Sequence, residues 1–568
     1  MPYQHTLHNS QWAESLIHLM YHLGVRHFCV APGSRNAAFS LALFRLSREL
    51  DGLNLHTHFD ERGLGFLALG LARVQQQPVC IVTTSGTAVA NLHPAVVEAF
   101  ETLVPLFILS ADRPDRLLEC GANQAIRQKH MFGANARLSV NLSCPADSQA
   151  LHQQISGFLQ QYAQLSLPGP IQLNCQFDEP LYEQVPPLPL DWLRLNPVTC
   201  ATPAQSIDET LLDIIRSSRS TLILLGQLTP LQHRQLLPWI SRLRCPVIAD
   251  IASQFRGCDE VHLLHYGDLL LAHPAFVAQL QPDLVIQFGG RIVSKRVGQF
   301  LEQYLRAPEA QYLLLSEYDQ PLDPTRRARQ QTISFERVAE WLPSPSVHPN
   351  LQLLIRQHQQ LAEALPDLVD GSWHEAAVAR LLMCHMPAGS AIMAGNSLSI
   401  RMLDSYGRFA ERDIHVYSSR GASGIDGLVA TAAALTSAYQ HSYLLVGDTA
   451  LLHDLNSLAL LAKMPAAITI VVLNNNGGGI FDLLPASQQT AYEQMFLMPH
   501  GLAFQHAAAQ FELDYELVAD LPGLQKLLTV SGNPKRSRLI ECRIHEGTTR
   551  LKGFIEQIRQ LPAISACL

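Results

Sequence analysis

The sequence contains little charge. Only 16% of its 568 residues are Asp, Glu, Lys or Arg, whereas about 25% is typical of soluble domains. Coiled coils and charged disordered chains need far more charge, so both classes are excluded and large buried cores are expected. The 41 basic and 49 acidic residues give a formal net charge of −8. Because this balance lacks a basic excess, we expect no nucleic-acid partner.

Several local patterns are missing as well. The eleven cysteines include no C-x-x-C pair, which argues against structural zinc, and their scattered, odd number is typical of a reducing compartment. No apolar run is long enough for a transmembrane helix, so we expect no membrane insertion. The first residues lack a basic segment followed by an apolar one. We therefore expect a soluble, cytoplasmic protein without a secretory signal.

The chain instead repeats one order of short apolar runs, turns rich in glycine or polar residues, and helical stretches. This order predicts an α/β protein with mainly parallel sheets. It occurs in three doubly wound domains, predicted at 1–182, 200–345 and 355–568, with Pro-rich linkers at 185–197 and 342–349. The predicted strands are His27–Ala31, Val79–Thr83, Leu106–Ser110, Ile171–Cys175, Thr221–Leu225, Val247–Ile251, Leu284–Phe288, Tyr312–Ser316, Ala391–Ala394, His415–Tyr417, Tyr443–Val446, Ile468–Leu473 and Leu539–Arg543.

The strongest motif lies in the third segment, where VGDT (446–449) and NNNGG (474–478) each follow an apolar run. Ligands of open α/β sheets bind beyond the carboxyl ends of strands. Asp448 and Asn475 can therefore offer hard oxygens to one Mg²⁺, and a carbonyl from the glycine turn can add a third. Either half alone indicates only a turn, but together they predict a metal–diphosphate site. Walker A and dinucleotide-binding glycine motifs are absent.

A second candidate is Glu61, which stands between a strand-like run, HTHF (56–59), and a helical stretch rich in glycine and alanine. An isolated acid at such a place is usually an exposed residue stabilised by the helix dipole. The flanking apolar sequence favours a functional role instead. A close-packed interface is predicted by the small residues Gly63, Gly65, Ala68 and Gly70.

A third candidate is a set of cations on predicted loops. Arginine binds carboxylates in a bidentate manner, so such a set suits a substrate with several carboxylates. For each single cation an ordinary surface position is an equally good interpretation. The set comprises Arg35, Arg113, Lys295, Arg296, Arg401 and Arg420. We interpret three histidines, His56, His58 and His93, as satisfied, partly buried side chains rather than zinc ligands.

With these residues identified, the chain resembles the thiamine diphosphate-dependent family of the menaquinone pathway, the 2-succinyl-5-enolpyruvyl-6-hydroxy-3-cyclohexene-1-carboxylate synthases. The resemblance covers most of the chain, and the central segment matches mainly through GGRIVSKR (289–296). It is strongest in APGSR (31–35), THFDERGLG (57–65), TSGTAVANL (84–92), ADRP (111–114), CGANQAIRQ (120–128), GNSLSIR (395–401), SRGASGIDG (419–427), VGD (446–448) and NNNGGGIF (474–481).

The resemblance implies decarboxylation of 2-oxoglutarate on thiamine diphosphate and 1,4-addition of the resulting succinic semialdehyde carbanion to isochorismate. It also implies a homodimer or larger homo-oligomer, because in this family the glutamate and the metal site meet across a subunit interface. One alternative is an acetolactate synthase-like enzyme or other 2-oxoacid decarboxylase, but a pyruvate-type substrate needs only one carboxylate partner. Another is a non-catalytic α/β scaffold, against which the presence of Glu61, Asp448 and Asn475 argues.

The resemblance also assigns roles by position. Glu61 becomes the catalytic partner of N1′ of the aminopyrimidine, and Asp448, Asn475 and the Gly477 carbonyl become ligands of Mg²⁺ or Mn²⁺. Further cofactor contacts are Thr84, Gly86, Asn91, Ser397, Arg420, Ile425, Gly447 and Ile480. Substrate contacts are Ser34, Arg35, Arg113, Gln124, Lys295, Asn396, Arg401 and Phe481. Two positions depart from the family pattern, namely Ser419, where Asn is expected, and Ala450, where Ser is expected.

Overall fold

The computed structural model describes residues 7–183, 185–188, 207–260, 262–409, 412–529, 534–545 and 547–565. Within these ranges, no helix combines the length and the apolar character that a bilayer-spanning segment requires. The chain divides into two compact units. The first comprises Met1–Thr202, Ser419–Ala438 and His453–Pro465, and the second comprises Pro203–Ser418, Tyr439–Leu452 and Ala466–Leu568. Most of the predicted first linker lies outside the described residues, and the predicted domain boundaries stay predictions.

The first unit is built on a six-stranded parallel sheet with the order β2-β1-β3-β4-β6-β5. Its strands are β1 (His27–Val30), β2 (Asn54–Thr57), β3 (Val79–Thr83), β4 (Leu106–Asp112), β5 (Leu138–Ser143) and β6 (Pro170–Gln176). Its helices are α1 (Asn9–His22), α2 (Ala37–Leu46), α3 (Glu61–Gln75), α4 (Thr87–Ala90), α5 (His93–Glu101) and α6 (Ser148–Tyr162). The central strands β3, β4 and β6 are buried throughout, as expected where helices cover both faces of a parallel sheet.

The second unit contains two parallel sheets, and the central segment of the chain forms the first of them in the order β11-β10-β9-β7-β8. Its strands are β7 (Thr221–Leu225), β8 (Val247–Ala249), β9 (Leu284–Phe288), β10 (Gln311–Ser316) and β11 (Arg329–Thr332). Its helices are α7 (Glu209–Ser217), α8 (Pro230–Ile240), α9 (Gly267–Leu270), α10 (Pro274–Leu280), α11 (Lys295–Tyr304) and α12 (Val338–Trp341). The predicted second linker, 342–349, contains neither helix nor strand.

The third sheet lies in the second unit and is also parallel throughout, with the order β13-β12-β14-β15-β17-β16. Its strands are β12 (Ser390–Ala394), β13 (Ile414–Ser418), β14 (Ser442–Gly447), β15 (Ile468–Asn474), β16 (Asp514–Val518) and β17 (Arg538–Arg543). The remaining helices are α13 (Leu351–Val369), α14 (Glu375–His385), α15 (Leu398–Tyr406), α16 (Leu428–Ala433), α17 (Asp448–His453), α18 (Gln505–Gln510), α19 (Leu521–Thr529), α20 (Gly547–Arg559) and α21 (Pro562–Ser565).

The first and third sheets share one topology. In both, the second strand of the segment lies outside the first, and the third strand lies on the other side of the first. The strand order therefore reverses between the first and third strands, and ligands of open α/β sheets bind at such a switch point. The predicted α/β class with parallel sheets is confirmed.

Small residues allow α3 to pack closely inside the first unit. A Cβ on Gly70 would lie 2.7 Å from the carbonyl oxygen of Thr431, and a Cβ on Gly63 would lie 2.7 Å from the Ser457 Oγ. The close-packed interface that these glycines predicted is therefore formed by α3, α16 and the 3-10 helix Leu455–Lys463.

A buried charge cluster joins the central segment to the third sheet within the second unit. The Arg256 Nη2 donates to the Oδ1 and to the backbone oxygen of Asp404, both at 2.8 Å. The Ser405 Oγ donates to the Asp268 Oδ2 at 2.8 Å. Burial, and then the charge of Asp250, raise the pKa of Asp404 to about 8. The cluster therefore binds a proton more tightly than an isolated aspartate does.

Candidate active site

In the first unit, the loops after β1 and β3 lie side by side at the switch point. A Cβ on Gly33 would come within 2.3 Å of the Thr84 Cβ, so this approach requires glycine. Ser34 is exposed and Arg35 is half-buried. The Arg35 Nη1 donates to the Phe177 carbonyl oxygen at 3.0 Å, while its buried Nε has no hydrogen-bond partner among the described residues. The Arg35 Nη2 also lies 3.5 Å from the Oε1 of the exposed Glu179, so this guanidinium has an acidic neighbour.

Arg113 is held at the same edge by neutral oxygens. Its Nη1 donates to the Ser85 Oγ at 2.6 Å and to the Gln124 carbonyl oxygen at 2.7 Å. Gly86 has a φ of 85°, and a Cβ there would lie 2.8 Å from the Gln124 Cγ. Burial, and then the positive charge of Arg35, lower the pKa of Arg113. The structure thus brings two predicted guanidinium groups and two predicted loops together.

Glu61 is the first residue of α3 and is half-buried. The preceding Asp60 caps the helix, because its Oδ1 accepts hydrogen bonds from the backbone N–H groups of Arg62 at 3.0 Å and Gly63 at 3.4 Å. The Glu61 Oε2 accepts from the Asn91 Nδ2 at 3.4 Å. Two of the predicted cofactor-site residues are therefore adjacent.

A buried ion pair in the first unit holds the loop 419–427. The Arg73 Nη2 donates to the Glu98 Oε1 at 2.8 Å. The two carboxylate oxygens of Glu98 accept from the backbone N–H groups of Gly421 at 3.0 Å and Ala422 at 2.7 Å. Glu98 was not predicted from the sequence, where it is marked only by being an acid within an apolar helical stretch.

This loop carries two predicted cofactor residues, Arg420 and Ile425, both partly buried. Ser419, one of the two departures from the family pattern, accepts a hydrogen bond at its Oγ from the Arg73 Nη1 at 3.3 Å. The serine at this position therefore has a hydrogen-bond partner, Arg73, within the same unit.

In the second unit, the loops after β12 and β14 meet at the corresponding switch point. The Gly395 N–H donates to the Leu445 carbonyl oxygen at 2.8 Å, and a Cβ on Gly395 would lie 2.9 Å from that oxygen. Asn396 is buried. Ser397 has a φ of 67°, and its carbonyl oxygen accepts from the Arg401 Nη1 at 2.5 Å. A non-glycine residue at such a φ is strained, which is typical of ligand-binding turns.

Asp448 is buried at the end of β14. Its Oδ1 accepts from the Thr449 N–H at 2.6 Å and its Oδ2 from the Gly477 N–H at 2.9 Å. The His500 Nε2 lies 3.2 Å from the same Oδ2, a contact that no sequence motif indicated. A Cβ on Gly447 would meet no atom within 4 Å outside its chain neighbours, so there is open space at this glycine.

Asn475 follows β15 and is fixed through its amide. Its Nδ2 donates to the Glu375 Oε1 at 2.9 Å. A Cβ on Gly479 would lie 2.5 Å from the same Nδ2. Burial raises the pKa of the Glu375 carboxyl, against the opposing effect of the hydrogen bond from Asn475. Glu375 lies 100 residues before Asn475 in the chain and was not predicted from the sequence.

The remaining predicted residues of the second unit have varied surroundings. Lys295 is exposed at the start of α11. Its neighbour Arg296 donates a hydrogen bond to Asp268 of the buried charge cluster and is therefore a structural cation. Ile480 and Phe481 are half-buried on the turn after the glycines. Ala450, the second departure from the family pattern, is buried in α17.

The three histidines do not form a metal site. The His56 Nε2 lies 2.9 Å from the His27 Nδ1, and the His93 Nε2 accepts from the Asn135 Nδ2 at 3.3 Å. The prediction of satisfied side chains is confirmed for these two. It is wrong for His58, because its buried Nε2 has no partner in the part of the chain that the structure describes. In that part, no group of three or more His, Cys, Asp or Glu side chains could hold a metal.

The residues assigned to Mg²⁺ fit a hard cation. Asp448 supplies a carboxylate, Asn475 an amide oxygen and Gly477 a backbone carbonyl, and Mg²⁺ takes such oxygens together with water and phosphate. The open space at Gly447 is one residue before Asp448 in the chain. Since only one of these ligands is an acidic side chain, the set is compatible with the absence of a His, Cys, Asp and Glu cluster among the described residues.

Comparisons with known proteins support a thiamine site. Residues 11–132 match the family described as thiamine pyrophosphate enzyme, N-terminal TPP binding domain, and residues 191–392 match the family described as middle domain of thiamine pyrophosphate. The solved structure of benzoylformate decarboxylase from Polynucleobacter necessarius aligns with a TM-score of 0.68 at 16% identity, over 94% of this chain and 99% of that one. That likeness shows a shared fold.

Curated relatives are closer in sequence. A 2-succinyl-5-enolpyruvyl-6-hydroxy-3-cyclohexene-1-carboxylate synthase from Yersinia pestis bv. Antiqua (strain Angola) is 36% identical, over 98% of this chain and 99% of the relative. A synthase of the same name from Yersinia pseudotuberculosis serotype IB (strain PB1/+) has the same identity and coverage. The chain therefore belongs to the family of 2-succinyl-5-enolpyruvyl-6-hydroxy-3-cyclohexene-1-carboxylate synthases and is a thiamine diphosphate-dependent enzyme of that type.

Proposed function

We propose that the chain decarboxylates 2-oxoglutarate and adds the remaining four-carbon unit to isochorismate by 1,4-addition. The products are CO₂ and 2-succinyl-5-enolpyruvyl-6-hydroxy-3-cyclohexene-1-carboxylate, in menaquinone synthesis. The names of the relatives support this product. The observation that carries the proposal is the pair of guanidinium groups of Arg35 and Arg113 at one edge of the first sheet.

This pair suits an anionic substrate for an electrostatic reason. Arg113 is only 8% exposed, and the positive charge of Arg35 acts on it. The negative charges of Asp112 and Glu179 oppose this effect only in part, since the pKa of Arg113 is lowered. A substrate carboxylate bound there would further compensate the two like charges. Both proposed substrates carry more than one carboxylate, whereas a pyruvate-type substrate carries one.

Thiamine diphosphate, when bound, supplies the electron sink that decarboxylation of a 2-oxo acid requires. Toward it, Glu61 holds a proton at N1′ of the aminopyrimidine, and Asn91 donates to the Glu61 carboxyl and orients it. Asp448, Asn475 and the Gly477 carbonyl hold the Mg²⁺ or Mn²⁺ that neutralises the diphosphate.

The other assigned residues complete the proposed contacts with the ligands. Toward the cofactor these are Thr84, Gly86, Ser397, Arg420, Ile425, Gly447 and Ile480. Toward the substrates they are Ser34, Gln124, Lys295, Asn396, Arg401 and Phe481.

The proposal extends to assembly and location. The family resemblance supports a homodimer or larger homo-oligomer with active sites at the subunit interface, which sedimentation would test. A cytoplasmic location is supported by the cysteines of the described chain, all of which are free.

A product assay tests the substrates directly. The purified chain with thiamine diphosphate and Mg²⁺ is incubated with isochorismate and either 2-oxoglutarate or pyruvate. Only the 2-oxoglutarate reaction is expected to release CO₂ and consume isochorismate together. Equal turnover with pyruvate would contradict the proposed substrate.

Arg113→Lys tests the carboxylate contact. Lysine keeps the charge but loses bidentate binding. Losing one partner of a buried pair costs roughly 3–5 kcal/mol, and with some water access we expect about 2–3 kcal/mol, roughly a 30–150-fold fall in kcat/KM. The control is Arg116→Lys, since Arg116 is 63% exposed and paired with Asp178. If Arg113→Lys lowers kcat/KM for neither substrate, Arg113 does not bind a carboxylate.

A further inference from the structure

Two consecutive asparagines after β15 are each held by a buried glutamate. The Asn474 Nδ2 donates to the Glu541 Oε1 at 2.8 Å, and the Asn475 Nδ2 donates to the Glu375 Oε1 at 2.9 Å. Both glutamates have 0% exposure. The two pairs are chemically alike, but only one of the two asparagines is an assigned metal ligand.

The hydrogen bond from Asn475 fixes which side of its amide faces away from the glutamate. The terminal torsion of asparagine is soft and roughly two-fold, so its oxygen and NH₂ group can exchange places at little cost. A carboxyl oxygen accepts from the NH₂ group and thereby turns the amide oxygen away from Glu375. Glycine at 479 leaves room for this amide, because a Cβ there would lie 2.5 Å from the same nitrogen.

Glu375 is placed by a rigid element. It is the first residue of α14, and the cap residue His374 accepts a hydrogen bond at its Nδ1 from the Ala377 N–H at 3.2 Å. The Glu375 Oε2 is buried and has no hydrogen-bond partner among the described residues. Among the described residues, the side chain of Asn475 is therefore the hydrogen-bond partner of this carboxyl, through Oε1. Burying the carboxyl costs free energy.

From this geometry we propose that Glu375 is a positioning residue that holds the Asn475 amide with its oxygen available to the metal ion. The proposal rests on the proposed function, in which Asn475 is a ligand of Mg²⁺ or Mn²⁺. A flipped amide would present its NH₂ group, which cannot coordinate a cation. Partners of this kind typically contribute 10–100-fold to metal affinity.

Mn²⁺ binding in the presence of thiamine diphosphate measures this contribution without relying on turnover. The dissociation constant is obtained from the electron paramagnetic resonance signal of free Mn²⁺. Glu375→Leu removes the acceptor and is expected to weaken Mn²⁺ binding by about 10–100-fold. Glu375→Gln retains an acceptor oxygen and is expected to bind Mn²⁺ as the parent protein does. Unchanged binding in Glu375→Leu would overturn the proposal.

Glu541→Leu is the matched control. It also removes a buried glutamate from an asparagine, and it leaves the Phe504 N–H and the Tyr515 hydroxyl without their acceptor. We therefore expect a lower Tm of the cofactor-free protein with little change in Mn²⁺ affinity. If Glu541→Leu weakens Mn²⁺ binding as much as Glu375→Leu does, the effect is general destabilisation and the positioning role fails.

A charge swap tests the same contact with variants of nearly unchanged shape. Asn475→Asp places two carboxyl groups face to face and is expected to weaken Mn²⁺ binding, although carboxylates are good ligands. In the double variant Glu375→Gln/Asn475→Asp, the new amide can donate to the new carboxylate, so affinity is expected to recover. A double variant no better than Asn475→Asp would overturn the proposal.

Asp448→Ala separates this proposal from the proposed function. If Asp448→Ala retains Mn²⁺ affinity, the assigned metal site itself is wrong. If Asp448→Ala abolishes binding while Glu375→Leu leaves it unchanged, the metal site stands and only the positioning role of Glu375 fails.

Discussion

At the scale of single residues, the two neighbouring acids at the start of α3 make different contacts. Asp60 satisfies backbone N–H groups of the first turn. The adjacent Glu61 is therefore not needed as a cap, and its carboxyl meets Asn91 instead. The helix cap and the proposed catalytic carboxyl thus belong to different acids, so their effects can be separated by mutation.

Glu61→Gln is expected to leave the fold intact and to lower turnover strongly. An amide has nearly the same shape but cannot share a proton with N1′ as a carboxyl can, and lost acid–base assistance typically costs about 10²–10⁴-fold in rate. Circular dichroism checks the fold and single-turnover decarboxylation the rate. The control is Asp60→Asn, because asparagine caps a helix equally well. Near-normal turnover in Glu61→Gln would rule out its role.

Asp404 predicts a pH dependence of stability. Its pKa is raised from the usual 3.8 to about 8 in the folded chain, by burial and then by Asp250. Between these values the folded state binds more protons than the unfolded state, so the free energy of unfolding decreases as pH rises through this range. Arg256 and Asp268 also act on this carboxyl, Arg256 favouring its ionised form and Asp268 its neutral form.

Asp404→Asn tests this, because asparagine keeps an acceptor oxygen for Arg256 and cannot ionise. The Tm of the variant minus the Tm of the parent protein is expected to increase between about pH 5 and about pH 9. Thermal melting at both pH values measures the difference. Parallel Tm curves for the two proteins would show that Asp404 does not hold a proton in the folded state.

At the scale of elements, helical glycines serve two different purposes. Gly70 in α3 lies against the backbone of α16, whereas a Cβ on Gly157 in α6 would meet nothing within 4 Å. Alanine favours a helix over glycine by about 1 kcal/mol. Overpacking costs about 1–3 kcal/mol. The same substitution should therefore have opposite effects at the two positions.

Gly70→Ala is expected to destabilise the protein, and Gly157→Ala to stabilise it by about 0.5–1 kcal/mol. Both residues belong to the first unit, so urea unfolding of the two variants under one set of conditions gives a direct comparison. A stabilised Gly70→Ala would mean that α3 and α16 are not closely packed in solution.

The strands show which elements a sequence reveals. Every strand predicted from an apolar run is present, because strands buried on both faces need continuous apolar residues. The sequence missed β5, β11 and β16, and it placed β2 two residues too late. All four are edge strands with exposed or half-buried residues. Polar residues interrupt each of these four strands, so no continuous apolar run marks them.

At the scale of the whole molecule, two sheets with one topology each bring strand-end turns together at a switch point, where ligands of open α/β sheets bind. The turns were predictable because their residues are contiguous motifs after apolar strands. The glutamates that hold these turns could not be predicted from the sequence. Glu98 fixes a loop more than 300 residues away in sequence, and Glu375 fixes an amide 100 residues away. Such contacts are set by tertiary packing, which leaves no local pattern.

Binding of the proposed cofactor and metal should stabilise the folded protein. A ligand that binds only the folded state at 100 times its dissociation constant adds about 2.7 kcal/mol. We expect a higher Tm with thiamine diphosphate and Mg²⁺ together than with either one alone, because in the proposed function Asp448 would hold the metal that neutralises the diphosphate. Calorimetric melting with and without a chelator measures this. Asp448→Ala is expected to lose the increase, and if its Tm rises as much as that of the parent protein, the metal is not bound at the end of β14.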